Sequence, residues 1–289
     1  MDAQKLANHA EGLFSLPEVS NRLAALLEDE SSALPEIAEL ISYDPVLLGR
    51  LLTTANQAPY QGPVVDNVTD AVARIGLKDL RTLVISTEAV QAFSDLPPDL
   101  VDMNNFWHHS VFTGLAAESL AFKCEGAEPT QLFVGGLLHD IGQLLIYQLL
   151  PDLARQVLEK ASESEYYRYR AEKEILGEEM THAHVGAALM RKWNLSPVLH
   201  EMVAFHHEPR KAVNYPLEVS IVHISTAIAS CMEPSWSRGQ QDISGLNVDG
   251  FAWETTGLSP KVVEPIADQI NMESFTVLDI IDPDSLKMF

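Results

Sequence analysis

Nine of the ten histidines lie between residues 108 and 223, and this clustering is the most distinctive chemical feature of the chain. His139 and Asp140 stand inside an apolar stretch, residues 131–150, in which Asp140 is the single formally charged residue. A buried carboxylate without a partner costs several kcal/mol or takes up a proton, so it needs an arginine, a hydrogen-bond network or a metal ion. The pair therefore predicts either a site for Zn, Fe, Ni or Mn, or a hydrogen-bonded polar pair in the core.

Two further segments carry histidines of which only some can reach a shared site. His109 lies on an apolar helix face, where a lone histidine is more often a satisfied core residue than a ligand. Its neighbour His108 points to another side and is expected to be exposed. His182 and His184 are about 200° apart around a helix, so at most one of them can face a common site.

Two pairs of candidate ligands are adjacent in the sequence, His139 with Asp140 and His206 with His207. Neighbouring positions on a helix point about 100° apart, so each pair can converge on an ion beside its helix. Four helices that each turn a histidine inward favour a metal site over an accident of core packing.

Helical periodicity runs along most of the chain, and strand-like alternation is nearly absent from it. Asp44-Pro45 is typical of an N-cap followed by proline at the first helical position, and predicts a helix through Ala55. Gly76 is expected to end another helix. Further helices are predicted at 105–123, 129–149, 151–162, 165–176, 178–193, 196–207, 216–231, 259–271 and 273–280.

The double proline Pro97-Pro98 and the polar segment after Pro234 suggest three parts. These are an N-terminal helical block, 1–97, a histidine-rich helical block, 98–234, and a C-terminal helical tail, 235–289. The apolar stretch 131–150 has about the length of a membrane span, but its polar residues favour a buried core helix.

Charge and cysteine content narrow the functional classes. Acidic residues outnumber basic ones by 41 to 19, giving a formal net charge of −22. Such a field repels phosphate backbones and anionic lipids, so autonomous nucleic-acid or membrane binding is disfavoured. The cysteines, Cys124 and Cys231, are far apart and show no metal-binding spacing, which is consistent with a reducing cytoplasm.

The ordered set of motifs resembles a known family. His109, the segment GLLHDIG at 136–142, His182 with Gly186, and His206-His207 resemble the HD superfamily of metal-dependent phosphohydrolases. The N-terminal block is similar to the HDOD branch, and the similarity spans about residues 14–232. The motifs of that branch are Leu16-Pro17, ISYDP at 41–45, LLTTANQA at 51–58, Tyr60, AVARIG at 71–76, FWHHS at 106–110 and KWNLSP at 192–197.

The resemblance implies an all-α, multi-helical HD-like fold with the N-terminal subdomain packed on it. It also implies a cytoplasmic bacterial regulator, often in signal transduction, whose pocket many members are thought not to use for catalysis. Asp140 would be the catalytic residue if there is one. The implied metal ligands are His109, His139, Asp140, His182, His206 and His207, with His184 in a neighbouring, non-ligand position.

Three departures from the catalytic HD-GYP relatives weaken the case for turnover. Gln143 stands where those relatives have lysine, and Thr226 stands where they have a second aspartate. Glu208-Pro209-Arg210 replaces the GYP-like triplet. Loss of a cation that stabilises transition-state charge typically costs about 3 kcal/mol. Loss of an anionic ligand tends to leave one metal ion rather than two.

The leading hypothesis is a regulatory protein that uses a degenerate HD pocket to bind a partner or a small phosphorylated ligand. Its acidic surface suits a basic signalling partner. The alternative is a true metal-dependent phosphohydrolase, in which His223 is the candidate replacement for the missing acid. A third hypothesis, a di-iron redox protein, is disfavoured because carboxylates are too few.

Overall fold

The computed structural model describes residues 2–9, 34–57, 62–76, 100–161, 165–232 and 246–271, with the single positions Leu23, Leu26, Tyr60, Leu80 and Leu96. Within these residues every regular element is helical, and the predicted all-α fold is confirmed. The helices are α1 Ala3–Asn8, α2 Leu34–Ser42, α3 Pro45–Ala55, α4 Met103–Ala121, α5 Pro129–Leu138, α6 Ile141–Leu149, α7 Pro151–Lys160, α8 Glu165–Ile175, α9 His182–Lys192, α10 Pro197–Phe205, α11 Pro216–Met232 and α12 Gly250–Thr256. Residues 68–76 and 263–271 are also helical.

Local capping chemistry sets several helix ends where the sequence predicts them. The Asp44 carboxylate accepts a hydrogen bond from the Leu47 backbone N–H at 2.9 Å, and α3 starts at Pro45. Gly76 has φ +73°, the left-handed conformation that favours glycine at a helix end. The helix at 45–55 is therefore confirmed; the φ of Gly76 fits the predicted stop, but the residues that follow it lie outside the described residues.

Several predicted helices need correction. The single helix expected over 129–149 is two helices, α5 and α6, separated at His139 and Asp140. The helix expected from 178 begins at His182, because the Thr181 side chain caps its first turn. The tail contains α12, which was not predicted, and the segment 259–271 opens with a 3₁₀ turn at Pro260–Val262. The helix predicted at 273–280 lies outside the described residues.

One hydrophobic core runs through the N-terminal and the histidine-rich blocks. Trp193, at the end of α9, packs against α3 so closely that a Cβ on Gly49 would lie 2.5 Å from its ring. The Lys192 ammonium donates to the carbonyls of Ala7 and Asn8 at the end of α1. The shared core joins the two blocks, and the division at 97 and 234 stays a prediction.

The helices that matter for the site pack at very short range. A Cβ on Gly136 of α5 would lie 2.7 Å from the Thr113 carbonyl of α4. A Cβ on Gly142 of α6 would lie 2.1 Å from the His182 carbonyl of α9. Glycine at these crossings lets the backbones approach, which brings the histidine-bearing helices together.

The described part of the C-terminal tail, residues 246–271, packs on the histidine-rich block, since α12 contacts α11. Among the residues that the structure describes, one segment, 129–149, is long and apolar enough to cross a membrane by length and composition alone. Of its 18-residue apolar window, 89% is buried inside the protein. The expected interpretation, a core segment, fits this burial.

Candidate metal centre

Asp140 lies at the break between two helices. His139 closes α5, and Asp140 is the N-cap of α6, with φ −101° and ψ 4° and no side-chain capping bond. The two residues are thus not neighbours on one continuous helix, and the argument from a 100° separation does not apply to them. Because the Asp140 carboxylate is not used as a cap, it is left to face the inside of the bundle.

The five histidines implied as ligands by the family resemblance come together around this carboxylate. The Nε2 atoms of His139 and His109 lie 3.5 and 3.9 Å from Asp140 Oδ2. His182 and His206 lie 3.1 and 3.7 Å from Oδ1. His207 completes the cluster, with its Nε2 2.9 Å from that of His182.

The donors form two groups that share Asp140. One group is Asp140, His182, His206 and His207, and the other is His109, His139 and Asp140. Within each group the ligand atoms lie within 4.8 Å of one another, so either could hold a metal ion. Coordination by these particular residues stays a prediction.

Three of the imidazoles are oriented by acceptors on their outer side. The Nδ1 atoms of His139 and His206 lie 2.6 and 2.8 Å from the carbonyl oxygens of residues 136 and 203. His182 Nδ1 lies 2.7 Å from Glu172 Oε2. Since these oxygens accept hydrogen bonds, each Nδ1 donates to one of them, and each ring turns its Nε2 to the centre, where that nitrogen can hold either a proton or a metal ion.

The donor set fits a cation. His109 and His139 bring their Nε2 atoms to 3.2 Å, and His182 and His206 bring theirs to 3.3 Å. Lone pairs held this close repel each other unless a proton or a metal ion lies between them. The buried Asp140 Oδ1 makes no hydrogen bond of acceptable geometry, although His182 Nε2 is 3.1 Å away. A metal ion would satisfy all of these groups.

The electrostatics also favour positive charge at the centre. Burial alone would raise the pKa of Asp140, but the charges of His139 and His182 outweigh it and hold that pKa well below its ordinary value. Burial alone would lower the pKa of His182, but Glu172 and Asp140 raise it to about 10. Burial of the His207 ring, together with the charges of His206 and His182, lowers the pKa of His207 well below its ordinary value.

Helix α8 covers the centre with residues that the sequence did not single out. Glu172 is 3% exposed and accepts from both the ring and the backbone N–H of His182. The Tyr169 ring stacks on His207 at 4.3 Å, and its hydroxyl donates to Glu208 at 2.5 Å. Both residues lie in a strongly charged segment that is typical of a solvated helix, so nothing in the sequence marked them.

Gln143 is involved as well. Its amide donates to Asp140 Oδ2 at 2.6 Å, and its carbonyl accepts from the Arg168 guanidinium at 2.7 Å. Arg168 therefore brings a positive charge to the position where catalytic relatives have a lysine. The sequence shows the neutral amide of Gln143 at this position, but nothing in it indicates that Arg168 lies beside that amide.

The other histidines lie outside the cluster. His184 bonds to the Thr181 hydroxyl, as expected of a neighbour that cannot face the site. His108 is half-buried and stacks on Phe112, so the expectation of an exposed ring was wrong.

His223, the candidate replacement for the missing acid, has both ring nitrogens on backbone groups. It bonds the His206 carbonyl through Nδ1 and the Asp249 N–H through Nε2, which leaves no nitrogen for a metal. Thr226 is buried, and its hydroxyl donates to the Val222 carbonyl. The hypothesis that His223 replaces the missing acid is therefore corrected, since neither His223 nor Thr226 supplies a metal ligand.

Fold and site together define an HD-type helical protein with a histidine-rich pocket. The HDOD domain profile matches residues 13–209, and the chain belongs to the HDOD domain family. An uncharacterized protein of Treponema pallidum (strain Nichols) is 25% identical over 224 residues, which are 76% of this chain and 42% of that protein. The chain thus spans about two-fifths of the length of this curated relative.

Solved structures show the same fold. The response regulator MmoQ from Methylococcus capsulatus str. Bath is 21% identical, with a TM-score of 0.68 over 90% of this chain and 99% of that one. An HDOD domain protein of unknown function from Geobacter sulfurreducens is 25% identical, with a TM-score of 0.51 over 96% and 97% of the two chains. A virulence factor from Campylobacter jejuni is 19% identical, with a TM-score of 0.62 over 89% and 98%.

Proposed function

We propose that this chain is a regulatory protein in signal transduction, whose HD-type pocket binds one divalent transition-metal ion and does not turn over substrate. The proposal rests on the burial of the side chains that would bind the metal ion. His139, His182 and His206 are 0% exposed and Asp140 is 2% exposed. His109 is 7% exposed, and helix α8 lies across the sixth donor, His207, so the described residues offer a phosphoester little access to the ion.

The contacts of Asp140 support a single ion. Its Oδ2 already accepts from the Gln143 amide, while its Oδ1 makes no hydrogen bond and faces His182 and His206. The group that contains Oδ1 therefore has one carboxylate and three imidazoles available. Such a nitrogen-rich set suits Zn, Fe or Ni better than Mn. When bound, the ion would act as a Lewis acid and would tie three helices together.

Metal content tests the binding part of the proposal. Protein purified without chelators should contain about one equivalent of a transition metal, and Asp140→Asn and His206→Ala should lose most of it. His200→Ala is the matched control, because His200 contacts Arg191 outside the cluster. Less than about a tenth of an equivalent in the wild type, after exposure to each metal, would overturn the proposal.

Activity tests the regulatory part. Cyclic dinucleotides and model phosphoesters would be offered with Mn, Fe, Ni and Mg. We expect no turnover that depends on Asp140. Robust metal-dependent hydrolysis that Asp140→Asn abolishes would refute regulation without catalysis.

The alternative function, a metal-dependent phosphohydrolase, gains one specific support from the structure. The Arg168 guanidinium next to Gln143 supplies the positive charge that the sequence lacks at position 143. If the activity assay shows turnover, Arg168→Gln should lower kcat. A hydrolase whose kcat is unchanged by Arg168→Gln would not use this charge.

The partner would be a protein with a basic surface, because the chain carries a net charge of −22. The shared fold with the response regulator MmoQ supports a role in signalling. A cytoplasmic location fits Cys124 and Cys231, neither of which is in a disulfide.

A small phosphorylated ligand that binds in the pocket is the alternative to a protein partner. The protein partner would be tested in a binding assay with the proteins encoded by neighbouring genes. The assay would be repeated at high salt, where the affinity should fall because salt screens the charges.

A further inference from the structure

A cleft separate from the metal centre opens between the N-terminal block and the histidine-rich block. It has a volume of about 380 Å³ and contains none of the six donors. Its walls come from α2, from residues 67–73 and from α4 and α5. This volume lies within the range of small-molecule sites, roughly 300–1,000 Å³.

The floor of the cleft is apolar. Val72, Leu115 and Phe133 are 2, 7 and 8% exposed, and their side chains line the deep part together with Ala38 and Val134. A ligand with an alkyl or aryl body would remove this surface from water, at about 25 cal/mol for each Å² buried.

The polar groups of the cleft leave acceptors for a ligand. The Ser42 hydroxyl already donates to the Glu39 carbonyl, and the Asn67 side chain already caps the next helix through Asp70. The Glu39 carboxylate lies at the exposed edge of the cleft as a charged acceptor, and the Tyr43 hydroxyl donates to its Oε1 at 3.2 Å. Among the described lining residues there is no lysine, arginine or histidine.

We propose that this cleft binds a small organic cation with an apolar body, such as an alkyl- or arylammonium compound. The body lies on the floor of the cleft, and the ammonium group donates to Glu39 at its edge. An anion is disfavoured by the Glu39 carboxylate and by the net charge of −22. This proposal goes beyond the metal centre and does not depend on it.

The test uses three probes with the same phenyl-ethyl body: phenethylammonium, neutral phenethyl alcohol and anionic hydrocinnamate. Binding to the full chain is followed by NMR or calorimetry at low salt. Phenethylammonium should bind most tightly, the alcohol about fivefold more weakly, and hydrocinnamate not measurably. The factor corresponds to an exposed ion pair of about 1 kcal/mol.

Variants locate the site and separate it from the general acidic field. Glu39→Gln should weaken phenethylammonium about fivefold, as expected for one exposed ion pair, and leave the alcohol unchanged. Glu264→Gln, at an exposed position outside the cleft, is the matched control and should change neither. Ala73→Trp should block both probes by filling the mouth, where Ala73 is exposed. Thr69→Trp, at another exposed lining position, repeats the blocking test if the first variant does not fold.

Three outcomes would overturn the proposal. The cleft is not the site if folded Ala73→Trp or Thr69→Trp binds phenethylammonium as the wild type does. Equal losses in Glu39→Gln and Glu264→Gln would mean that the cation follows net charge only. Equal affinity for the ammonium and the alcohol would mean that the Glu39 carboxylate takes no part.

Discussion

The hydrogen bonds between Glu172 and His182 make a sharp prediction about metal affinity. Glu172 Oε2 accepts from His182 Nδ1 at 2.7 Å and from the His182 backbone N–H at 2.8 Å. Glutamine at this position keeps the size of the side chain but loses the charge. Its amide can also donate to Nδ1, which would move the ring proton to Nε2 and direct it at the metal.

The size of the effect follows from the burial of the pair. The His182 ring is 0% exposed and Glu172 is 3% exposed, so water does not replace the lost interaction. Removing a carboxylate behind a ligating histidine typically weakens metal affinity 10- to 100-fold. We therefore expect Glu172→Gln to raise the dissociation constant by about that factor, while the variant stays folded.

A competition titration against a chromogenic chelator measures this affinity, and circular dichroism checks the fold. Glu174→Gln, on the exposed side of the same helix, is the control and should leave the affinity unchanged. The reasoning is refuted if Glu172→Gln binds metal within twofold of the wild type while Asp140→Asn does not bind it. That result would mean that His182 needs no orienting carboxylate.

Two further changes should affect stability. Gly142→Ala places a Cβ 2.1 Å from the His182 carbonyl, so α6 and α9 must move apart. Urea unfolding should show that this variant loses about 1–3 kcal/mol of unfolding free energy. Gly250→Ala is the control, and its unfolding free energy should not change, because the added Cβ meets nothing within 4 Å. Asp249→Asn keeps the cap of α12 but loses the ion pair with Arg210, whose hydrogen bonds lower the pKa of Asp249. Because the folded pKa is depressed, the stabilisation is present above the ordinary value of 3.8 and is lost as the pH falls below it. The wild type should therefore exceed the variant by up to about 1 kcal/mol at neutral pH and lose that lead in acid; a constant difference would contradict the ion pair.

Features that depend on neighbours in sequence could be predicted. Asp44 and Pro45 start a helix through a bond to a residue three positions on, so the sequence contains the whole cause. The need of Asp140 for a partner followed from the apolar residues on both sides of it. The family motifs then grouped the histidines, whose convergence depends on tertiary packing.

Features that depend on distant contacts could not be predicted. Glu172 meets His182 only because α8 folds back over the site, and its own segment has the composition of a surface helix. Arg168 reaches Gln143 by the same route. The break at Asp140 was missed because apolar residues continue through it without a proline.

The close approach of α4 and α5 has a kinetic consequence. The backbone at Gly136 of α5 touches the backbone at Thr113 of α4, so these two helices cannot slide past each other. We therefore expect His109 and His139, which these helices position, to keep their places when an ion binds. Among the described residues, α8 covers the cluster on the side of His207, so we expect an ion to enter or leave where α8 lifts away, which requires the Glu172–His182, Tyr169–Glu208 and Arg168–Gln143 bonds to open. We expect loading and release to be slow, so that titrations must be left to equilibrate before any affinity is taken from them.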